Sequence, residues 1–166
     1  MAEQPLAQTV AWRVEQLRKQ SGVSVELNVA PTWEEASLSH AARAHILGAV
    51  DEALANIREH AAARNIRLSL SVETGQALLR VEDDGAGFLL CRLVRKLLRP
   101  TRPRSGLCRL RDYTRALGGT FEIASSPGKG ARIGVKIPLR PNTAARRVWG
   151  ELHTRPTCFN PYSLIA

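Results

Sequence analysis

Glu52 and Asn56 stand four residues apart in a stretch of helical periodicity, so they share one helix face. At about 100° per residue that face also takes His45, Ala49 and Glu59, and it points away from the apolar stripe. A carboxylate beside an amide, flanked by the small Ala49 and Ala53, has the chemistry to line a polar cavity. Asn56 offers a neutral oxygen to a hard cation such as Mg²⁺, which takes few protein ligands and leaves the rest to phosphates and water. Glu52 can serve as a general base or orient a water. Spacing alone leaves a second reading open, that of a charged helix face turned to solvent.

A second group lies in Val81-Glu82-Asp83-Asp84-Gly85-Ala86-Gly87-Phe88, where an apolar run ends in two carboxylates and two alternating glycines. Such a turn lets backbone approach a flat or phosphorylated ligand without Cβ hindrance, and it is also the pattern of an acidic hairpin loop. Gly106-Leu107 opens a later helical stretch, where free N–H groups and the positive dipole end suit a phosphate. Ser126-Pro127-Gly128-Lys129-Gly130 reads as a tight turn between strands, with Lys129 within reach of an anion.

The elements that carry these groups are set by periodicity. A helix is expected over Leu6 to Lys19, a half-buried strand over Val23 to Val29, and one long helix from about Leu38 to Ala63, capped by Ser37 or Ser39. Strands are expected over Ile66 to Val72 and Ala77 to Val81, joined by a hairpin at Thr74-Gly75. Residues Leu89 to Leu98 read as helical or irregular, and Pro100 and Pro103 prevent a helix from continuing past them. A helix from Leu107 to Leu117 and strands over Thr120 to Ala124 and Ala131 to Ile137 complete the series. Paired strands between helices imply an α+β fold, a two-layer sandwich with a mixed, mostly antiparallel sheet and helices on one face. Residues 1–21 read as an N-terminal helix or linker remnant, 22–139 as the domain, and 140–166 as a tail without periodicity.

Composition narrows the partners. The net charge of +9 over 166 residues favours acidic ligands such as nucleotides or nucleic acid. Near the Arg-rich stretch 92–111 only Phe88 and Tyr113 are available as stacking partners, so the aromatic interleaving of a single-strand binder is lacking and nucleic acid is not expected. Cys91, Cys108 and Cys158 are odd in number and lack metal-ligand spacing, which suits free thiols of a reducing, cytoplasmic compartment. No apolar run approaches the about 18 residues of a membrane span, and the N-terminus lacks a signal-peptide core.

Together these motifs resemble the ATP-binding catalytic domain of sensor histidine kinases, of the Bergerat (GHKL) type, closest to the nitrate-sensor and DesK-like subgroup. Glu52-Ala53-Leu54-Ala55-Asn56 with His60-Ala61 resembles the N box, and Asp83 to Phe88 the first glycine box. Ser105-Gly106-Leu107 with the helix to Leu117-Gly118-Gly119 resembles the second glycine box. Ser125 to Ala131 resembles the terminal hairpin, where the family usually has Thr at the place of Ala131. The likeness covers about residues 22–139.

The resemblance implies roles. Asp83 would accept a hydrogen bond from the adenine amine, and Gly85 and Gly87 would let base and ribose pack on backbone. Asn56 would hold Mg²⁺ on the phosphates of ATP, with His60 beside it in the N box. Glu52 would be the acid that assists transfer, and Gly106 and Leu107 would cover the phosphates. The implied activity is transfer of the γ-phosphoryl group to a histidine on another domain or chain, with a response regulator downstream.

Two positions depart from the pattern. Glu59 stands where a basic residue is usual, and Arg104 where a glycine is usual, at the end of the basic segment 92–104. These keep open a non-catalytic regulatory or interaction module and an anti-sigma-type serine kinase.

Overall fold

The computed structural model describes residues 5–33, 38–89 and 106–139. Helix α1 (Leu6–Ser21) buries Leu6, Val10, Val14 and Leu17, one stripe at helical spacing, and stops at the left-handed Gly22. The Arg18 guanidinium reaches forward to the Val25 carbonyl, tying the helix to strand β1 (Ser24–Val29). β1 runs parallel to β2 (Asn65–Glu73), pairing Val25 with Ile66 and Leu27 with Leu68. A parallel pair needs a long crossover, and helix α2 (His40–Asn56) supplies it. Ser39 caps α2 by accepting the Ala42 N–H at 3.1 Å.

The expected helix to Ala63 is interrupted. Regular α geometry ends at Asn56, a single π turn covers Ile57–Ala61, and Ala62 leaves it at φ +47°. β2 then turns at Thr74-Gly75, both at positive φ, into β3 (Gln76–Asp83). Helix α3 (Gly106–Ala116) is followed by β4 (Thr120–Ser125) and β5 (Ala131–Pro138). The sheet order is β1-β2-β3-β5-β4, antiparallel except for the first pair. The strand limits lie within two residues of those expected. The expectations for residues 90–98 and for the tail from 140 onward fall outside the described residues.

Strand alternation sorts the two faces. Ile66, Leu68, Leu70, Ala77, Leu79, Val81, Ile133, Val135 and Ile137 join the stripes of α1 and α2 in one core, so the helices cover one face. The other face is ionic. In register across four strands lie Glu26, Arg67, Glu82 and Arg132, with Glu26–Arg67 at 3.0 Å and Glu82–Arg132 at 2.7 Å. Alternating sign along that row keeps an open sheet face soluble and fixes strand register.

Candidate functional site

The face of α2 that carries Glu52 and Asn56 is not solvated along its length. Ala49 and Ala53 are fully buried, and α3 lies against α2 there. His45 Nε2 meets Thr114 Oγ1 at 2.8 Å. The Thr114 hydroxyl already donates to the Leu110 carbonyl at 2.7 Å, so the shared hydrogen belongs to His45 Nε2 and the ring is the neutral Nε2–H tautomer. Burial enforces the same state by lowering the His45 pKa to about 4. Two turns further along, the backbone of Gly106 sits directly on the Glu52 carboxylate, where any Cβ would collide with its oxygens. Asn56 Nδ2 donates to the Glu52 carbonyl at 2.8 Å and to Glu52 Oε1 at 3.1 Å. Those bonds turn the amide nitrogen toward Glu52, so Oδ1 is the atom with which Asn56 would meet a cation.

The two adjacent carboxylates of the acidic turn do different work. Ala77, Leu79 and Val81 point to the helices, and strand alternation puts Asp83 on that same side. Its Oδ1 accepts the Gly85 N–H at 2.9 Å, and the Ala131 N–H, in register across the ladder, also favours the ionised form. Partial burial outweighs both and raises its pKa, with Asp84 adding a smaller push in the same direction. Asp84 is exposed and structural. It accepts from Arg64 N at 2.8 Å, Asn65 N at 2.9 Å and Asn65 Nδ2 at 2.7 Å, and these bonds hold its pKa below the usual range.

The glycines expected at a ligand have protein against their Cα faces. A Cβ on Gly85 would fall on the Ala61 carbonyl, which also accepts the Ala86 N–H at 2.6 Å. A Cβ on Gly87, at φ +59°, would fall on the carbonyl of Ser126. The turn is thus fastened to the π turn on one side and to the β4–β5 hairpin on the other, where Gly128 N donates to Ala86 O at 2.7 Å and Gly130 N to Gly85 O at 2.9 Å. Ala61 links the two predicted halves of the site, since it lies on the π turn that begins directly after Asn56 and holds the loop that begins at Asp83.

A cleft of about 370 Å³ opens at this end of the sheet, lined by Asp83, Ser125, Lys129 and Ala131 and also by Glu82 and Arg132 of the ionic face. Its lining includes no α2 residue, so it reaches Asp83 but not the Glu52–Asn56 pair. His60 is exposed on the π turn, with Nε2 3.8 Å from the Glu59 carboxylate, and Arg58 approaches that carboxylate at 3.4 Å. Leu107 is half-buried against the core. Arg104 and the basic segment before it lie outside the described residues. Among the described residues no three His, Cys, Asp or Glu side chains gather as a metal site. Three features escaped the sequence: the His45–Thr114 contact, the clamp at Asp84, and Ser125, whose hydroxyl accepts the Phe88 N–H at 2.8 Å.

A five-stranded mixed sheet with helices on one face and a glycine turn locked to a hairpin define an α+β domain of two layers. The chain belongs to the histidine kinase-, DNA gyrase B-, and HSP90-like ATPase family, whose pattern matches residues 42–141. It is 27% identical over 128 residues to the sensor histidine kinase LiaS of Bacillus subtilis, covering 77% of this chain and 32% of that protein. It is 30% identical over 115 residues to the sensor protein VraS of Staphylococcus saprophyticus, covering 69% and 31%. The chain therefore spans about a third of the length of these curated relatives. Among solved structures, the histidine kinase domain of the blue-light activated kinase of Erythrobacter litoralis EL346 superposes with a TM-score of 0.61 at 22% identity, covering 84% of this chain and 66% of that one. The histidine kinase AdeS of Acinetobacter baumannii gives 0.59 at 20% identity, covering 81% and 64%. At those identities the likeness is one of fold.

Proposed function

We propose that the chain is the ATP-binding catalytic domain of a sensor histidine kinase, which binds Mg-ATP and transfers the γ-phosphoryl group to a histidine on another domain or chain. The domain is taken as residues 22–139, with α1 docked on it. The observation that carries the reading is the division of labour between the two carboxylates. Asp84 is consumed by the backbone of Arg64 and Asn65, while Asp83 faces the helix layer, half-buried, with oxygen capacity left for a purine amine.

The chain's own residues would divide the work among them. Asp83 reads the base, and Asn56 Oδ1 holds the cation. Glu52, fixed by the Asn56 amide, meets the acceptor side of the phosphates. Mg²⁺, when bound, supplies charge neutralisation at the phosphates, and positioning of this kind dominates phosphoryl transfer. Glu59, the departure most hostile to phosphate, is paired at the surface with Arg58 at 3.4 Å, with His60 beside it. A response regulator is the implied downstream partner, and use of ATP implies the cytoplasmic side.

The contact of Gly106 with Glu52 favours a second reading, a regulatory module in which α3 closes over the N box. Calorimetric titration with Mg-ATP and Mg-ADP separates the two. The first reading expects saturable binding that Asp83→Asn weakens about 10- to 100-fold, the range for a hydrogen bond to a charged group. No binding at millimolar nucleotide, or indifference to Asp83→Asn, overturns it.

A further inference from the structure

Helices α2 and α3 meet at two polar rungs. Glu52 stands two turns after His45 on α2, and Gly106 two turns before Thr114 on α3. His45 Nε2 meets Thr114 Oγ1 at one rung, and the Glu52 carboxylate meets Gly106 at the other. The helices therefore run antiparallel. The second rung sets a carboxylate against the first residue of α3, the end at which the helix dipole favours negative charge. Glu52 Oε1 accepts the Asn56 Nδ2–H at 3.1 Å, and the same oxygen lies where a Cβ on Gly106 would stand. One anionic oxygen thus fills the space between the Asn56 amide and the start of α3. The nucleotide reading needs phosphates in that space, since it gives the cation to Asn56 and the cover of the phosphates to Gly106 and Leu107. The cleft at the sheet end accordingly reaches Asp83 but no residue of α2.

We propose that Glu52 is an internal latch: without nucleotide its carboxylate stands in for a phosphate at the start of α3, and a nucleotide seats its phosphates only by displacing it. The proposal rests on the nucleotide reading above and deepens it by naming how the site is regulated. The His45–Thr114 rung holds the far end of α3 in both states, so the movement is confined to the first turns of that helix. A shut latch lowers the apparent affinity by the fraction of chains that are open.

The test compares the full chain with Glu52→Ala in two arms. In the first, without nucleotide, NMR hydrogen exchange follows the amides of Leu110 and Arg111, whose helical acceptors are the carbonyls of Gly106 and Leu107. These should exchange about two- to fivefold faster in Glu52→Ala, the worth of one charge at a helix end, while Thr114 to Ala116 keep the wild-type rate. In the second, calorimetry should show Mg-ADP binding tighter by a similar factor and adenosine, which has no phosphates, unchanged. Tighter ADP with unaltered exchange would be relief of charge repulsion alone and overturns the proposal. Exchange that quickens equally along all of α3, or ADP affinity that is unchanged or weaker, overturns it as well. Glu52→Gln, which keeps the length and loses the charge, carries the same expectations should the alanine variant not fold. If neither protein binds ADP or adenosine, the functional reading fails on its own. The exchange arm then decides the latch by itself: faster exchange at Leu110 and Arg111 upholds it, and unaltered exchange removes it.

Discussion

Asp83 and Asp84 are neighbours with identical side chains, and the sequence offers no local reason to separate them. Their roles diverge because β3 ends between them. Asp83 is the last residue of the strand and inherits its inward parity, while Asp84 has left the ladder and turns to the start of β2. The alternation Ala77, Leu79, Val81 was readable and extends to Asp83. The partners of Asp84 were not, since Arg64 and Asn65 lie about twenty positions back on the far side of a hairpin. Asp84→Ala leaves two backbone N–H groups and one amide without their acceptor. Its Tm should fall, most clearly at neutral pH, while ADP affinity of the folded protein stays near wild type. The sign at low pH is set by its depressed pKa. The Asp84 contribution is present above the unfolded carboxylate range and is lost as pH falls through the lower folded value. Thermal melts with calorimetry on the same sample check both. An Asp84→Ala protein that melts normally but loses ADP would reverse the assignment of the two carboxylates.

At α2 the periodicity was right about the face and wrong about the ending. Ile57 and Ala61 continue an i, i+4 series, so the pattern extends smoothly to Ala63. The chain instead widens into a π turn and stops, and the Ala61 carbonyl at its end accepts the Ala86 N–H at 2.6 Å where a continuing helix would have used it. A tertiary hydrogen bond from a loop 25 positions downstream has no trace in local composition, and π turns recur where a helix is bent to serve a site. The same bond explains Gly85, which must admit the Ala61 carbonyl; the residue type was legible from its motif, but the group it admits is backbone where a ligand was expected. The exit from the turn is strained, since Ala62 sits at φ +47°. Ala62→Gly removes the Cβ conflict of a left-handed residue and should stabilise by about 1 kcal/mol. Urea unfolding measures it, and an unchanged or lower midpoint would mean that the turn relaxes elsewhere.

The mixed, mostly antiparallel sheet and its single covered face were legible from hairpin spacing and alternation, because those signals are local and repeat along each strand; that β5 lies between β3 and β4 was not. How tightly α3 seats on α2 was not, because it depends on a buried polar contact between residues 69 positions apart, His45 and Thr114. Thr114 is fully buried, and its hydroxyl and the partly buried imidazole satisfy one another between the two helices. That contact couples the fold as a whole to proton concentration. His45 is held near a pKa of about 4 by burial, against an ordinary 6.5 in the unfolded chain. The unfolded state binds the extra proton first, so the contribution is complete above pH 6.5 and drains away as pH falls toward 4. At about 1.36 kcal/mol per unit the loss is at most about 3 kcal/mol. His45→Gln keeps a nitrogen donor for Thr114 and cannot titrate, so its stability should be lower than wild type near pH 7.5 but flatter in acid. The Asp83 carboxyl, with its raised pKa, acts in the opposite sense in acid and cancels in the difference between the two proteins. Unfolding free energies of wild type and His45→Gln from pH 4.5 to 7.5 therefore isolate the imidazole. A gap between them that narrows with acid ties α2–α3 docking to the neutral ring, and a gap constant across that range would place the His45–Thr114 contact outside the energetics of the fold.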